Sequence, residues 1–406
     1  MSVGNTANGM DTRGSIPRSV ALDRLRERRP FEADGPTVRM ELAEVAGRTT
    51  AEPVTAPIDV PQHDRATMDG FAFAASDEYP LRVTDAVFPE DEPPTIDRGD
   101  AVAVATGAAL PARADVVLMR EEATVEDGSL SGPPQTPGTN VYPAGATATA
   151  GERLFTADHR LAPRHAALLR DVGIDSVLVY RPLTVGILPT GTEIHHGRQP
   201  DRDSEMLCNL VRRWGHRPGI EDAVPDAIDR VRTAIETAAA EYDVVLTTGG
   251  TSVGGADHVI TVLEEHDVLF RGVDVRPGRP VTVGTVAETP VCALPGKPVA
   301  AHTAATLLVR PFLTGCDRLP TVTADCRVRV TVPDADVEFA IPVVLEGRGA
   351  MPLGHASSEL ELYDERFAPG RVASSTRVLC ADGIVLTREA IEAGDPVTVV
   401  PYEVLE

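Results

Sequence analysis

A chain of 406 residues with 42% hydrophobic content is too long for a single core, so roughly two to four domains are expected. A formal charge of −23 excludes a role built on free nucleic acid, whose phosphates need net basic patches, and no apolar run approaches the ~18 residues of a membrane span. Five cysteines (Cys208, Cys292, Cys316, Cys326, Cys380) without any C-x-x-C spacing argue against a zinc site or disulfide framework and for buried, reduced thiols. Lys297 is the only lysine. An acidic surface that uses arginine suits a high-salt cytoplasm, where screening shortens repulsion to roughly 3 Å at 1 M.

The first 15 residues lack the apolar stretch of a secretion signal and read as a disordered tail, so a cytoplasmic protein is expected. Ser19 to Arg29 and Val38 to Ala46 carry apolar residues at helical spacing (Leu22, Leu25; Met40, Leu42, Val45), and Gly47 supplies a stop. The sequence PQHDRATMDGFAF places Asp69-Gly70 before an aromatic strand, where the local pattern alone reads as an Asp-Gly hairpin turn. Leu81 to Glu126 is a set of short β-rich runs with Thr106-Gly107 between two of them, and SGPPQTPGTNVYPAG (131–145) is a linker dense in Pro and Gly. Helical spacing returns at Arg164 to Asp171 and ends at Gly173. The helical pieces before Arg48 and after Gly145 flank the β segment, which predicts one discontinuous domain with a β domain inserted.

Pro182 to Gly315 alternates strand and helix. Val185 to Leu188 runs into Thr190-Gly191-Thr192-Glu193; one helix carries Met206, Leu207, Leu210, Val211 and Trp214 on a face; a second spans Asp226 to Ala240. The central stretch is VVLTTGGTSVGGAD (244–257), a buried strand followed by Gly249, Gly250, Ser252, Gly254 and Gly255, whose backbone can approach an anion closely, with Asp257 capping the next helix. Val268 to Val275, Arg276-Pro277-Gly278-Arg279-Pro280, Val281 to Gly284 and Val291 to Leu294 lead to Pro295-Gly296-Lys297-Pro298 and a last helix. Repeated βα units imply a parallel sheet with right-handed crossovers, and the loops beginning at Thr190, Thr248 and Pro295 should converge on one site at its carboxyl edge. Residues 319–406 alternate in the manner of a small barrel or sandwich.

That edge brings carboxylates suited to Mg²⁺ (Glu193, Asp257) against cations suited to an oxyanion (Arg276, Arg279, Lys297), a combination that reads as phosphate-ester chemistry.

The segments ATMDGFAF, ATGAALPARADVVLMREE, ILPTGTEI, TTGGTSVGGADHV, VDVRPGRP and ALPGKPVAA stand in the order and spacing of the molybdopterin molybdotransferase family, which includes the MoeA proteins and the gephyrin E domain. The resemblance runs from about Ile16 to the C-terminus. It implies an α/β multidomain protomer: a discontinuous elongated domain (16–52 and 143–181), an inserted β domain (53–142), a MogA-like three-layer α/β domain with a parallel sheet (182–318) and a C-terminal β-barrel (319–406). It also implies a homodimer, and a reaction in which adenylylated molybdopterin is cleaved with Mg²⁺ and molybdate or tungstate, releasing AMP. The molybdopterin adenylyltransferase is a further candidate partner.

By position, Asp69 matches the family's active-site aspartate, Thr106-Gly107 its loop near molybdate, Glu193 and Asp257 its metal and nucleotide acids, and Arg276 and Arg279 its basic loop. Thr190, Gly191, Gly249, Gly250, Ser252, Gly254, Pro295, Gly296 and Lys297 complete the implied substrate site. The chain departs from the family at Ala146-Thr147 and Thr192, where acids are usual, at Lys297 for Asn, and at Glu205 for the Asn that follows Asp203-Ser204. Two other readings stand beside the transferase: a paralogue that binds molybdopterin or its nucleotide without turnover, and an adenylylating enzyme of the MogA kind.

Overall fold

The computed structural model describes residues 14–28, 36–249 and 258–406. Two compact units divide the chain, one spanning Thr37–Val179 and the other made of the segment before Thr37 and everything from Tyr180 onward.

The second unit is a layered α/β body with a barrel. Strands β1 (Thr184–Pro189), β2 (Arg217–Ile220), β3 (Val244–Thr248), β4 (Asp267–Arg271), β5 (Thr282–Val286) and β6 (Thr289–Leu294) form one sheet in the order β2-β1-β3-β6-β5-β4. Side chains of β3 alternate between two helical layers. Val244 and Leu246 bury with Leu207, Leu210 and Val211 of helix α2 (Ser204–Arg213), and Val245 buries with Val231 and Ile235 of helix α3 (Ile228–Glu241) and Val259 and Val262 of helix α4 (His258–Glu264). A strand covered on both faces reads as a continuous apolar run, which is why VVL gave no alternation in the sequence.

The sheet is mixed, contrary to the parallel expectation. β2, β1, β3 and β6 are parallel, whereas β5 runs antiparallel to β6 and to β4. The cause is local: Ala287 and Glu288, both at positive φ (47° and 70°), turn β5 directly into β6. A two-residue turn of that kind makes a hairpin, and a parallel crossover needs a dozen residues or more.

Strands β7 (Val322–Cys326), β8 (Glu338–Glu346), β9 (Gly349–Pro352), β10 (Gly383–Thr387) and β11 (Pro396–Pro401) pair in the order β8-β9-β7-β11-β10, and β10 pairs back onto β8 to close a barrel. Val275–Arg276 adds to β8 in parallel. The barrel shares its packing with the α/β layers, since Trp214, Tyr402 and Leu405 lie in one core and the indole Nε1 donates to the Leu405 carbonyl at 2.8 Å.

Helix α1 (Arg18–Arg26), which the sequence reading placed in one domain with residues 143–181, belongs instead to this unit. Leu22 and Leu25 bury in the core that holds Phe312, Ile16 bridges to Val273, and Arg18 pairs with Glu338 at 2.7 Å. Of the 15 residues expected as a tail, the first 13 lie outside the described residues, and Ser15 is held in place, its hydroxyl donating to Asp274 and accepting from Arg279.

In the Thr37–Val179 unit, Thr37–Glu41 is a strand paired with Ser176–Tyr180 and Leu42–Glu44 is a 3₁₀ turn, where a helix was expected. The apolar positions 42 and 45 fit a three-residue period as well as they fit an α-helix. A six-stranded sheet runs in the order Val116–Met119, Gly70–Phe73, Asp100–Val104, Leu81–Val87, Ser129–Ser131, Thr124–Glu126.

Three of the five cysteines are buried, Cys316 is partly so and Cys380 is exposed; burial pushes the Cys292 thiol up to about 12. Among the described residues no helix is long and apolar enough to cross a membrane.

Candidate functional site

A cavity of about 890 Å³ opens at the carboxyl edge of the β1–β6 sheet and is walled on its far side by the barrel segment Pro369–Ala373. The loops after β1, β3 and β6 meet there because glycines let their backbones touch. Gly249 has φ +83°, and a Cβ on it would stand 2.6 Å from the Thr190 carbonyl; a Cβ on Gly296 would stand 3.0 Å from the Gly249 Cα. A side chain at Gly249 would therefore be strained in both conformation and space.

The Thr190 amide and hydroxyl both bind the Thr248 carbonyl, at 2.9 and 3.0 Å, which ties the first loop to the central strand. Thr192 exchanges two hydrogen bonds with Asp226: its amide donates to the Asp226 carboxylate, and its hydroxyl accepts from the Asp226 amide, each at 2.9 Å. Asp226 is thus held at the cavity rim with Glu193, whose carboxylate folds back to 3.2 Å from where a Cβ on Gly191 would be.

Acids predominate on one side of the cavity and cations on the other, with Arg202 standing among the acids. Glu193, Asp201, Asp203 and Asp226 belong to the β1 and β2 side; Arg276, Arg279 and Lys297 line the cavity from the two-residue strand Val275–Arg276, the loop that follows it, and the loop after β6. Among the described residues none of these three cations forms an ion pair, in a chain with 61 acidic residues. Lys297 donates instead to the Ser374 hydroxyl at 2.9 Å, and Arg279 to the Ser15 hydroxyl at 3.0 Å.

Asp203 is buried at 6% exposure, and its carboxyl is pushed up to about 6 by that burial and then by the neighbouring Asp201, against the opposing Arg202.

Of the expected site residues, Thr190, Gly191, Glu193, Gly249, Arg276, Arg279, Pro295, Gly296 and Lys297 all line this one cavity. Gly250, Ser252, Gly254 and Asp257 lie outside the described residues. Asp69, Thr106 and Gly107 form a cluster of their own in the Thr37–Val179 unit. The Thr106 amide and hydroxyl donate to Asp69 Oδ1 at 2.7 and 2.8 Å, which holds that exposed carboxyl below its ordinary value, and Arg65 donates to the Gly107 carbonyl at 2.6 Å. Sequence reasoning gave no site role to Asp201, Asp226 and Ser374, and noted Asp203 only as part of a segment shared with the family. Asp226 follows β2, whose Pro218 and Gly219 hid the strand, so the rule that loops after parallel strands converge had nothing to act on.

Residues 16–173 match the model of the MoeA N-terminal region (domain I and II), and residues 186–315 match that of a probable molybdopterin binding domain. A putative molybdopterin biosynthesis protein of Methanocaldococcus jannaschii is 30% identical over 377 residues, 87% of this chain and 88% of that protein. The chain belongs to the MoeA family. A molybdopterin molybdenumtransferase of Haemophilus influenzae is 32% identical over 311 residues, 72% of this chain and 76% of its own length. The crystal structure of a molybdopterin biosynthesis MoeA protein from a Pyrococcus species superposes with a TM-score of 0.74 at 30% identity, covering 96% of this chain and 99% of that one. The multidomain α/β architecture of this MoeA-family chain, with its closed small barrel, is the one expected from the sequence.

Proposed function

We propose that this chain is a molybdopterin molybdotransferase, inserting molybdate or tungstate into adenylylated molybdopterin with Mg²⁺ and releasing AMP. The observation that carries the reading is the convergence of Arg276, Arg279 and Lys297, without ion-pair partners among the described residues, on one cavity of a protein of charge −23. A fixed cation cluster held against such a field is matched by a phosphate group, which arginine meets with a two-pronged fork and lysine as a point charge. Relatives named molybdopterin molybdenumtransferase, at 30–33% identity, support the same substrate.

Glu193 and Asp226 on the opposite rim suit Mg²⁺, which takes one or two carboxylates together with substrate phosphates and water. Among the described residues no group of three or more His, Cys, Asp or Glu is placed to hold a metal, so the ion depends on the phosphate for the rest of its shell. Bound there, Mg²⁺ would neutralise charge on the phosphoanhydride. Asp69, kept ionised by Thr106, is assigned to the chemical step, and the protein to a homodimer in the cytoplasm.

The test is anaerobic incubation of the purified chain at high salt with adenylylated molybdopterin, Mg²⁺ and molybdate or tungstate. AMP release that requires both Mg²⁺ and an oxyanion is expected. Tight retention of nucleotide with no AMP would overturn the transferase and favour the binding paralogue; formation of adenylylated pterin from ATP would favour the adenylylating enzyme.

A further inference from the structure

Helix α2 begins with an unusual division of labour. Its N-cap residue, Asp203, makes no capping hydrogen bond with its side chain, although aspartate at that position ordinarily accepts from the first-turn amides. Asp201 has taken over: its Oδ1 accepts the amides of Asp203 and Ser204 at 3.0 and 3.1 Å. The Asp203 carboxylate is thereby left over. It lines the cavity, the residue is 6% exposed, and its Oδ1 is shut from solvent with no hydrogen-bond partner among the described residues; the Ser204 hydroxyl beside it, on a residue 2% exposed, has none among them either. A buried acceptor without a donor costs about 1–3 kcal/mol, more when charged. Such groups persist where a ligand completes them.

We propose that Asp203, with Ser204, is the recognition element for the pterin ring of the substrate, accepting its ring N–H and exocyclic amino group. The assignment rests on the molybdopterin reading above. The neighbouring acid, Asp201, is engaged with two amides, so a metal ion at this point would find one carboxylate where Glu193 and Asp226 offer two. The nucleotide's adenine is a poor occupant as well. Its amino group sits between ring acceptors, whereas an ionised carboxylate only accepts. The 2-amino-4-oxo pyrimidine of a pterin offers two adjacent donors on one edge, the complement of a carboxylate. The position agrees with the distribution of charge: Asp203 lies on the mainly acidic β1 and β2 side, beside Arg202 and away in the sheet order from Arg276, Arg279 and Lys297, the cations assigned to phosphate.

The experiment measures binding of molybdopterin and, separately, of AMP to the full-length wild-type chain and to Asp203→Asn and Ser204→Ala, with thermal unfolding of each. Asp203→Asn is expected to weaken molybdopterin binding by about 10-fold or more, to leave AMP binding within about twofold, and to unfold at the same or a higher temperature; Ser204→Ala is expected to weaken molybdopterin binding less. A purely structural role would lower the unfolding temperature and spare both ligands. Unchanged molybdopterin affinity in Asp203→Asn, or a loss confined to AMP, overturns the assignment. A wild-type chain that binds no molybdopterin overturns the functional reading itself, and is recognised before any variant is compared.

Discussion

Two aspartates of this chain show opposite uses of one side chain. Asp69 is exposed, yet two hydrogen bonds from Thr106 hold its carboxyl below the ordinary value. Asp203 is buried, lacks a partner for Oδ1 among the described residues, and has its carboxyl pushed up to about 6. Hydrogen bonds to the charged form favour ionisation and burial opposes it, so the first group is favoured as an anion and the second is a poised acceptor. The lesson is that function here is set by what surrounds a carboxylate, and that the surroundings of Asp69 were written into a short motif whereas those of Asp203 were not.

The largest effect should come from breaking the anion. Asp69→Asn keeps the shape and the Thr106 contact but removes the charge; AMP release, followed by chromatography, is expected to fall by about 10²–10³-fold, with the unfolding temperature and AMP affinity unchanged. Next is the cationic side of the cavity. Lys297→Met removes the single lysine and its bond to Ser374, and AMP binding by calorimetry is expected to weaken by about 10-fold, since one charged hydrogen bond is worth ~1.5–3 kcal/mol, with a smaller dependence on salt.

The poised acceptor should show itself in stability. Because the folded-state value of Asp203 lies above the unfolded 3.8, the folded chain holds that proton longer as pH rises. Its effect is therefore a loss of stability that develops between about pH 4 and 6 and persists above. Asp203→Asn should raise the unfolding temperature at pH 7.5 by a few degrees, on the order of 2–4 °C per kcal/mol, and the gain should vanish near pH 4. A flat difference across that range would mean that Asp203 is not destabilised by its charge. The smallest effect is expected from Thr106→Val, which removes the hydroxyl donor and keeps the amide. Carboxyl titration by NMR should find Asp69 closer to its ordinary value and still below it.

Much of the α/β unit was legible because its causes are local. Apolar strands ending in Thr190-Gly191, Thr248-Gly249 and Pro295-Gly296 announce loops at a carboxyl edge, and those loops do line one cavity. The antiparallel β5 was legible in principle, since the few residues separating Gly284 from Val291 are too few for a crossover. Helix α1 was not: nothing in RSVALDRLR says that Leu22 and Leu25 meet Phe312 nearly 300 residues away. The same holds for Asp203, whose role depends on Asp201 having taken the helix cap, a choice between two neighbouring aspartates that spacing does not make.

The central claim is that the cavity serves transfer of the oxyanion, and the stoichiometry of that transfer tests it most directly. Single-turnover incubation with adenylylated molybdopterin, Mg²⁺ and molybdate or tungstate, quantifying AMP and pterin-bound metal in the same sample, should give the two in equal amounts from the wild-type chain, with both slowed together in Asp69→Asn. AMP formed without metal on the pterin, or at the same rate when the oxyanion is withheld, would contradict the account.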